Sequence, residues 1–295
     1  MEVIRDLVYG SGLVRCSDPQ GAVKRELKLD LYRPRVRDAD VRLPALVLAF
    51  GGAFHRGSKE NDSFEAEGGN TSVADYCRRF ARRGYLACAI DYRLVTEDPD
   101  PGRTPVVQSP ESIPTTRVDV VRRLMQLPPA TSHMLWCGIE AASDDMAAAT
   151  RYLLDRASMW GIDPDRVAVG GFSAGARTAL NVALGEKVPV AAVVSLSGYM
   201  HHEDLQRHIT RQHDGPAVLV VSAQNDLEYI VEATPRLVDH LRTSGLHCEQ
   251  VVVPDAGHFY GAEAVALHDR DGVTTVEEAM AAFLARALAR TGEPC

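Results

Sequence analysis

Apolar runs alternate with helical patterns along most of the chain. Residues 27–32, Leu-Lys-Leu-Asp-Leu-Tyr, alternate as a strand with one covered face does, and with Leu7-Val8-Tyr9 ahead of them they predict an antiparallel edge. Residues 44–50 form a continuous apolar run, which suits a central parallel strand with helices on both faces. Runs of the same kind cover 85–91, 166–170, 191–197, 217–223 and 248–253. Helical patterns fall between them: 75–83 before Gly84, 144–160 before Gly161, 174–184, and 232–243 before Gly245. A last helix opens at Thr274 or Thr275, with Glu277 and Glu278 placed for a capping box. Strands alternating with helices predict a doubly wound, mostly parallel α/β sheet, taken as one domain over 1–295.

Residues 94–142 break this rhythm. Pro99, Pro101, Pro105, Pro110, Pro114, Pro128 and Pro129 interrupt any long element there. The segment lies between a strand and a helix and is expected to be an irregular lid over the C-terminal edge of the sheet, where open α/β folds bind ligands.

The candidate chemistry starts at residues 167–177, where an apolar run meets Gly171-Phe172-Ser173-Ala174-Gly175 and passes into an alanine-rich segment. A serine at the tip of a strand-to-helix turn is strained and crowded, and glycines two residues either side relieve the crowding. The turn lifts the Ser173 hydroxyl clear of the sheet and aims the Ala174 N–H, at a helix start, toward a developing oxyanion. A serine hydroxyl needs a base, and the base needs a carboxylate to fix its tautomer. Asp226 follows the run 217–223 and His258 follows 248–253, so both sit beyond strand ends on the edge that carries Ser173. Glu228 competes for the carboxylate role, and position relative to the strand favours Asp226.

Here the chain resembles the α/β-hydrolase superfamily, within it the carboxylesterase and hormone-sensitive-lipase-like branch. The resemblance also rests on Gly161-Ile162-Asp163-Pro164-Asp165-Arg166-Val167-Ala168-Val169, similar to the lead-in to the branch's serine, and on Asp91-Tyr92-Arg93-Leu94, similar to its strand-end signature. The branch's oxyanion loop, His-Gly-Gly-Gly-x-x-x-Gly-Ser, is matched by Phe50-Gly51-Gly52-Ala53-Phe54-His55-Arg56-Gly57-Ser58. The resemblance implies an α/β-hydrolase fold, acyl transfer through Ser173, Asp226 and His258, and an oxyanion hole from the amides of Gly52, Ala53 and Ala174. Phe50 replaces a histidine whose hydrogen bond would hold the loop.

Composition narrows the partners. A net charge of −8 with no Lys/Arg cluster argues against nucleic acid, and Arg78, Arg79, Arg82 and Arg83 read as the solvated face of a short helix. The charged N-terminus lacks a signal-peptide core and no apolar run spans a bilayer, so the expected location is the cytoplasm, with no membrane partner. Cys16, Cys77, Cys88, Cys137, Cys248 and Cys295 form no Cys-x-x-Cys pair and are expected as reduced thiols. His201, His202, His208 and His213 lack the spacing of a zinc helix, and Gly10-Ser11-Gly12 lacks the third glycine of a dinucleotide turn, so no metal or cofactor is expected.

The expected ligand is a small ester-like molecule, with Phe54, His55 and Tyr199 as candidate pocket residues. A homodimer is compatible with the sequence. Alternatives on the same triad are an amidase or arylformamidase-like enzyme, or a biosynthetic enzyme that opens lactones, cyclises or eliminates. A non-catalytic binding protein is the alternative from another class.

Overall fold

The computed structural model describes residues 1–35, 41–210 and 215–289. His213 and Cys295, considered above, lie outside them.

A ten-stranded sheet runs in the order β1-β2-β4-β3-β5-β6-β7-β8-β9-β10. The first pair, β1 (Glu2–Val14) and β2 (Val23–Arg33), is antiparallel, and β2 joins β4 (Leu86–Ile90) antiparallel. From β4 the sheet is parallel through β3 (Leu43–Ala49), β5 (Ile162–Phe172), β6 (Ala192–Leu196), β7 (Ala217–Asn225) and β8 (Cys248–Gly257). The apolar runs have the composition that parallel strands need, since helices cover both faces. All five residues of β4 and of β6 are buried.

Helix α1 (Val73–Arg82) buries Val73, Tyr76, Cys77 and Phe80 on one face and is capped by Ser72, whose side chain accepts from the Asp75 N–H. The short helix α4 (Ala157–Trp160) precedes β5, and helices α5 (Ala174–Leu180), α7 (Glu228–Thr243) and α8 (Val276–Ala287) follow β5, β7 and the terminal hairpin. Thr275 caps α8, accepting from the Glu278 N–H.

The structure departs from or adds to the sequence reading at four points. The segment 94–142 is not irregular throughout: α2 (Thr116–Leu124) lies within it, and α3 (Ser132–Leu154) begins immediately after the Pro128-Pro129 pair, where Thr131 accepts from the Met134 N–H. The first half of α3 hides from pattern reading because Gly138 and the buried Glu140 interrupt its apolar positions. Gly138 sits in it because a Cβ there would come within 2.3 Å of Val95 Cγ2.

The other corrections concern the edges and the surface. The antiparallel hairpin of β9 (Val265–His268) and β10 (Gly272–Thr275) extends the far edge, its strands too short to show a period. A seven-residue helix, α6 (His202–His208), follows β6. Arg79 and Arg83 do not face solvent alone: Arg79 Nη1 pairs with Glu277 at 2.6 Å and Arg83 Nη2 with the same carboxylate at 3.0 Å, tying α1 to α8.

Gly12 lies within β1 against the Arg93 guanidinium, which a Cβ would overlap at 2.4 Å, so packing accounts for this glycine. Among the described residues, no helix is long and apolar enough to cross a membrane, and Cys16, Cys77, Cys88, Cys137 and Cys248 form no disulfide.

Candidate active site

Ser173 stands between β5 and α5 with φ 53° and ψ −111°, a region that L-residues avoid. Its neighbours must be glycine for a measurable reason: a Cβ on Gly171 would lie 2.3 Å, and one on Gly175 1.9 Å, from the Ala49 carbonyl oxygen of the adjacent strand. The turn is pinned by the Ser173 N–H donating to Leu196 O at 2.8 Å. Ala174, the first residue of α5, has no acceptor for its N–H within the helix.

β7 and β8 deliver the other two groups just past their ends. His258 Nδ1 is 2.6 Å from Asp226 Oδ1, and His258 Nε2 is 2.9 Å from Ser173 Oγ. A carboxylate only accepts, so Nδ1 carries the proton and Nε2 is free to accept from the serine hydroxyl. Asp226 is not an exposed turn residue: it is 9% exposed. It also accepts from the Leu227 N–H at 2.8 Å and the Ala223 N–H at 3.2 Å. Burial pushes its pKa up, yet the hydrogen bond and charge of His258, with the bonds from Ser197 and Leu227, outweigh this and hold it below the ordinary aspartate value.

Two members of this constellation escaped the sequence reading. Ser197 Oγ donates to Asp226 Oδ2 at 2.5 Å and lies 2.9 Å from the Tyr260 hydroxyl. The signal, in retrospect, is a serine just past the end of β6, on the same edge as the other groups.

The loop after β3 turns through three successive residues of positive φ, Gly52 at 120°, Ala53 at 56° and Phe54 at 60°. Phe50, in place of the histidine that the resemblance would lead one to expect, is held another way. Its ring stacks on Tyr92 at 4.2 Å, and the Tyr92 hydroxyl donates to the Phe50 carbonyl at 2.8 Å. Asp62 accepts the Gly51 N–H at 2.9 Å and the Val73 N–H at 2.8 Å, and burial pushes its pKa up to about 6 against those bonds.

His55, expected on the pocket wall or in solvent, is on neither. It is 1% exposed, donates from Nδ1 to the Ala53 carbonyl at 2.6 Å and accepts at Nε2 from Arg122 at 3.0 Å, bracing the loop from behind. Burial holds it below the usual histidine range.

A pocket opens at Ser173. Ala53 and Phe54 line it together with Ile113, Val118 and Leu135, from the proline-rich segment and α3, and with Tyr199, Tyr229 and Ile230. Phe54 and Tyr199 line this pocket, and Gly52 does not. Arg177, from α5, lines the pocket as well and was not singled out from sequence. Of the histidines weighed as ligands, His208 is engaged through Nε2 with the Val106 carbonyl at 2.8 Å, while His201 and His202 border a separate surface depression.

A parallel sheet with an antiparallel start, a nucleophile-type elbow after β5, and an Asp and a His after β7 and β8 together define the α/β-hydrolase fold. The model of a family described by that fold matches residues 138–215, which span the elbow. The chain is similar in structure to a thermophilic esterase from the planctomycete Thermogutta terrifontis, with a TM-score of 0.59 and 19% identity over 99% of this chain and 95% of that one. Esterase 2 of the same organism phosphorylated by paraoxon matches with a TM-score of 0.59 and 19% identity over 98% and 96%. The propionate-bound form matches with a TM-score of 0.56 and 19% identity over 97% and 91%. No curated protein matches the chain in sequence.

Proposed function

We propose that the protein is a serine hydrolase of small carboxylic esters that works through an acyl-enzyme on Ser173. The observation that carries this reading is the unbroken hydrogen-bonded series Ser173 Oγ, His258, Asp226 at a pocket. In the mechanism, Nε2 of His258 takes the Ser173 proton as Oγ attacks the ester carbonyl, and the ionised Asp226 stabilises the imidazolium. The amides of Gly52, Ala53 and Ala174 receive the oxyanion. The leaving alcohol takes the proton from His258, and water, activated by the same imidazole, releases the acid.

Residues 94–142 act as a cap in this reading, since Ile113, Pro114 and Val118 wall the pocket. That a structural neighbour was obtained with propionate and another phosphorylated by paraoxon supports a small acyl group and an activated hydroxyl.

The test is hydrolysis of p-nitrophenyl acetate through octanoate by the wild type and by Ser173→Ala purified in parallel. Turnover of the short esters, with a loss of at least about a thousandfold in the variant, is the expected result. Turnover that survives the substitution would overturn the assignment of Ser173. A wild type inert to every ester yet labelled at Ser173 by a fluorophosphonate would exclude simple esters as substrates.

A further inference from the structure

We propose that the pocket selects esters that also carry a carboxylate, which the guanidinium of Arg177 receives. This rests on the reading of Ser173 as the nucleophile and adds the substrate class. Arg177 follows Ser173 by four residues, in the first turn of α5, and its N–H donates to the Ser173 carbonyl at 3.0 Å. Both line the same pocket, whose lining contains no aspartate or glutamate.

The state of Arg177 sets it apart. It is 3% exposed. Among the described residues it forms no ion pair, its Nη1 donates to the Tyr199 hydroxyl, and its Nε has no partner. The Tyr199 ring, 4.6 Å from Cζ, offers a π face but no negative charge.

Of the other arginines that are buried or border the pocket, none among the described residues combines an unpaired charge with a place in the pocket lining. Arg93 is paired with Asp145 at 2.9 Å, Arg117, which also lines the pocket, with Glu67 at 2.7 Å, and Arg122 donates to the Pro128 carbonyl and to His55. Glu140 is close enough to feel the charge of Arg177, but its oxygens accept the Val106 N–H at 2.9 Å and the Val107 N–H at 2.7 Å.

A buried cation without a counterion is costly, and a planar guanidinium is shaped to take a carboxylate through two parallel N–H bonds. A substrate carboxylate would complete the pocket. Because Ser173 and Arg177 line one pocket, that carboxylate sits a few methylenes from the scissile carbonyl. The fitting ligands are therefore monoesters of short dicarboxylic acids.

The experiment is calorimetric titration of the Ser173→Ala protein with monomethyl succinate, glutarate and adipate, each against its dimethyl ester. At least one monoester is expected to bind at least about tenfold tighter than its neutral diester. That preference should shrink to within about twofold when Arg177→Met is added, and persist in part in Arg177→Lys, which keeps the charge. Diesters that bind as well as all three monoesters, no measurable binding of any monoester, or a preference indifferent to Arg177→Met would overturn the proposal.

Turnover of the same six esters by the wild type separates the two readings. Cleavage without preference for the anion leaves the hydrolase assignment and sinks the carboxylate one. Preferential binding without cleavage does the reverse.

Discussion

Ser197 Oγ donates to Oδ2 of Asp226 at 2.5 Å, on the opposite side of the carboxylate from His258, whose Nδ1 meets Oδ1 at 2.6 Å. The carboxylate is thereby held in the plane that the imidazole needs, and its negative charge is favoured in a buried site. Ser197→Ala removes one donor to a buried anion, a loss of about 1–3 kcal/mol in support for the ionised form. The expected outcome is a fall of about tenfold or more in kcat/KM, since the Asp226 carboxylate supports the imidazolium less well. Steady-state kinetics with a short p-nitrophenyl ester check this, and an unchanged kcat/KM would make Ser197 a packing residue only.

Tyr92 stands in for the loop histidine. Tyr92→Phe keeps the stacking on Phe50 but leaves the Phe50 carbonyl without the 2.8 Å hydrogen bond. A loss of about 1–2 kcal/mol in unfolding free energy is expected, together with a few-fold lower kcat as the neighbouring amides loosen. Urea denaturation and steady-state kinetics measure the two effects.

Arg93 closes the strand-end signature by pairing with the buried Asp145 and by donating to the Leu13 and Asp100 carbonyls at 3.2 and 2.9 Å. Arg93→Met strands a buried carboxylate and is expected to cost about 3–5 kcal/mol. Adding Asp145→Leu removes the orphaned charge and should restore part of that loss, which a double-mutant cycle by denaturation reads directly.

Two carboxyls lean the other way. Burial, reinforced by the charge of Asp144, pushes Glu186 up to about 8, and burial pushes Glu140 up to about 7. Each folded pKa lies above the unfolded glutamate value, so between about pH 4.5 and those values the folded state binds more protons than the unfolded one. Stability is therefore fullest at the acid end of this window and declines as pH rises toward 8, by about 1 kcal/mol per pH unit for Glu186 alone. Glu186→Gln should flatten the decline in denaturation midpoint between pH 5 and 8, and an unchanged slope would show that this group does not titrate there.

The legible part of the molecule was the part written in local pattern. Continuous apolar runs marked β3 through β8 because a strand buried on both faces can carry nothing else. Gly171 and Gly175 announced the elbow because the Ala49 carbonyl leaves no room for a Cβ, and Asp226 and His258 were findable because each directly follows a strand on the edge that carries Ser173. The start of α3 was missed because Gly138 interrupts its short apolar stripe of Leu135, Ile139 and Ala142, just after a proline pair. His55 was misplaced because its neighbour across the loop, Arg122, is 67 residues away.

What the sequence by itself determined is the order of strands β3 to β8 with the helices that follow most of them, the strained serine turn and the three residue types that meet at it, since these rest on backbone sterics and on hydrophobic period. The tertiary structure alone decided which groups face one another: Ser197 behind Asp226, Tyr92 under Phe50, and Arg177 at the pocket without a carboxylate beside it. Such pairings join residues tens of positions apart, or set a neighbour's charge against what the rest of the fold leaves unpaired. No local pattern encodes them, because burial and counterions are properties of the packed chain.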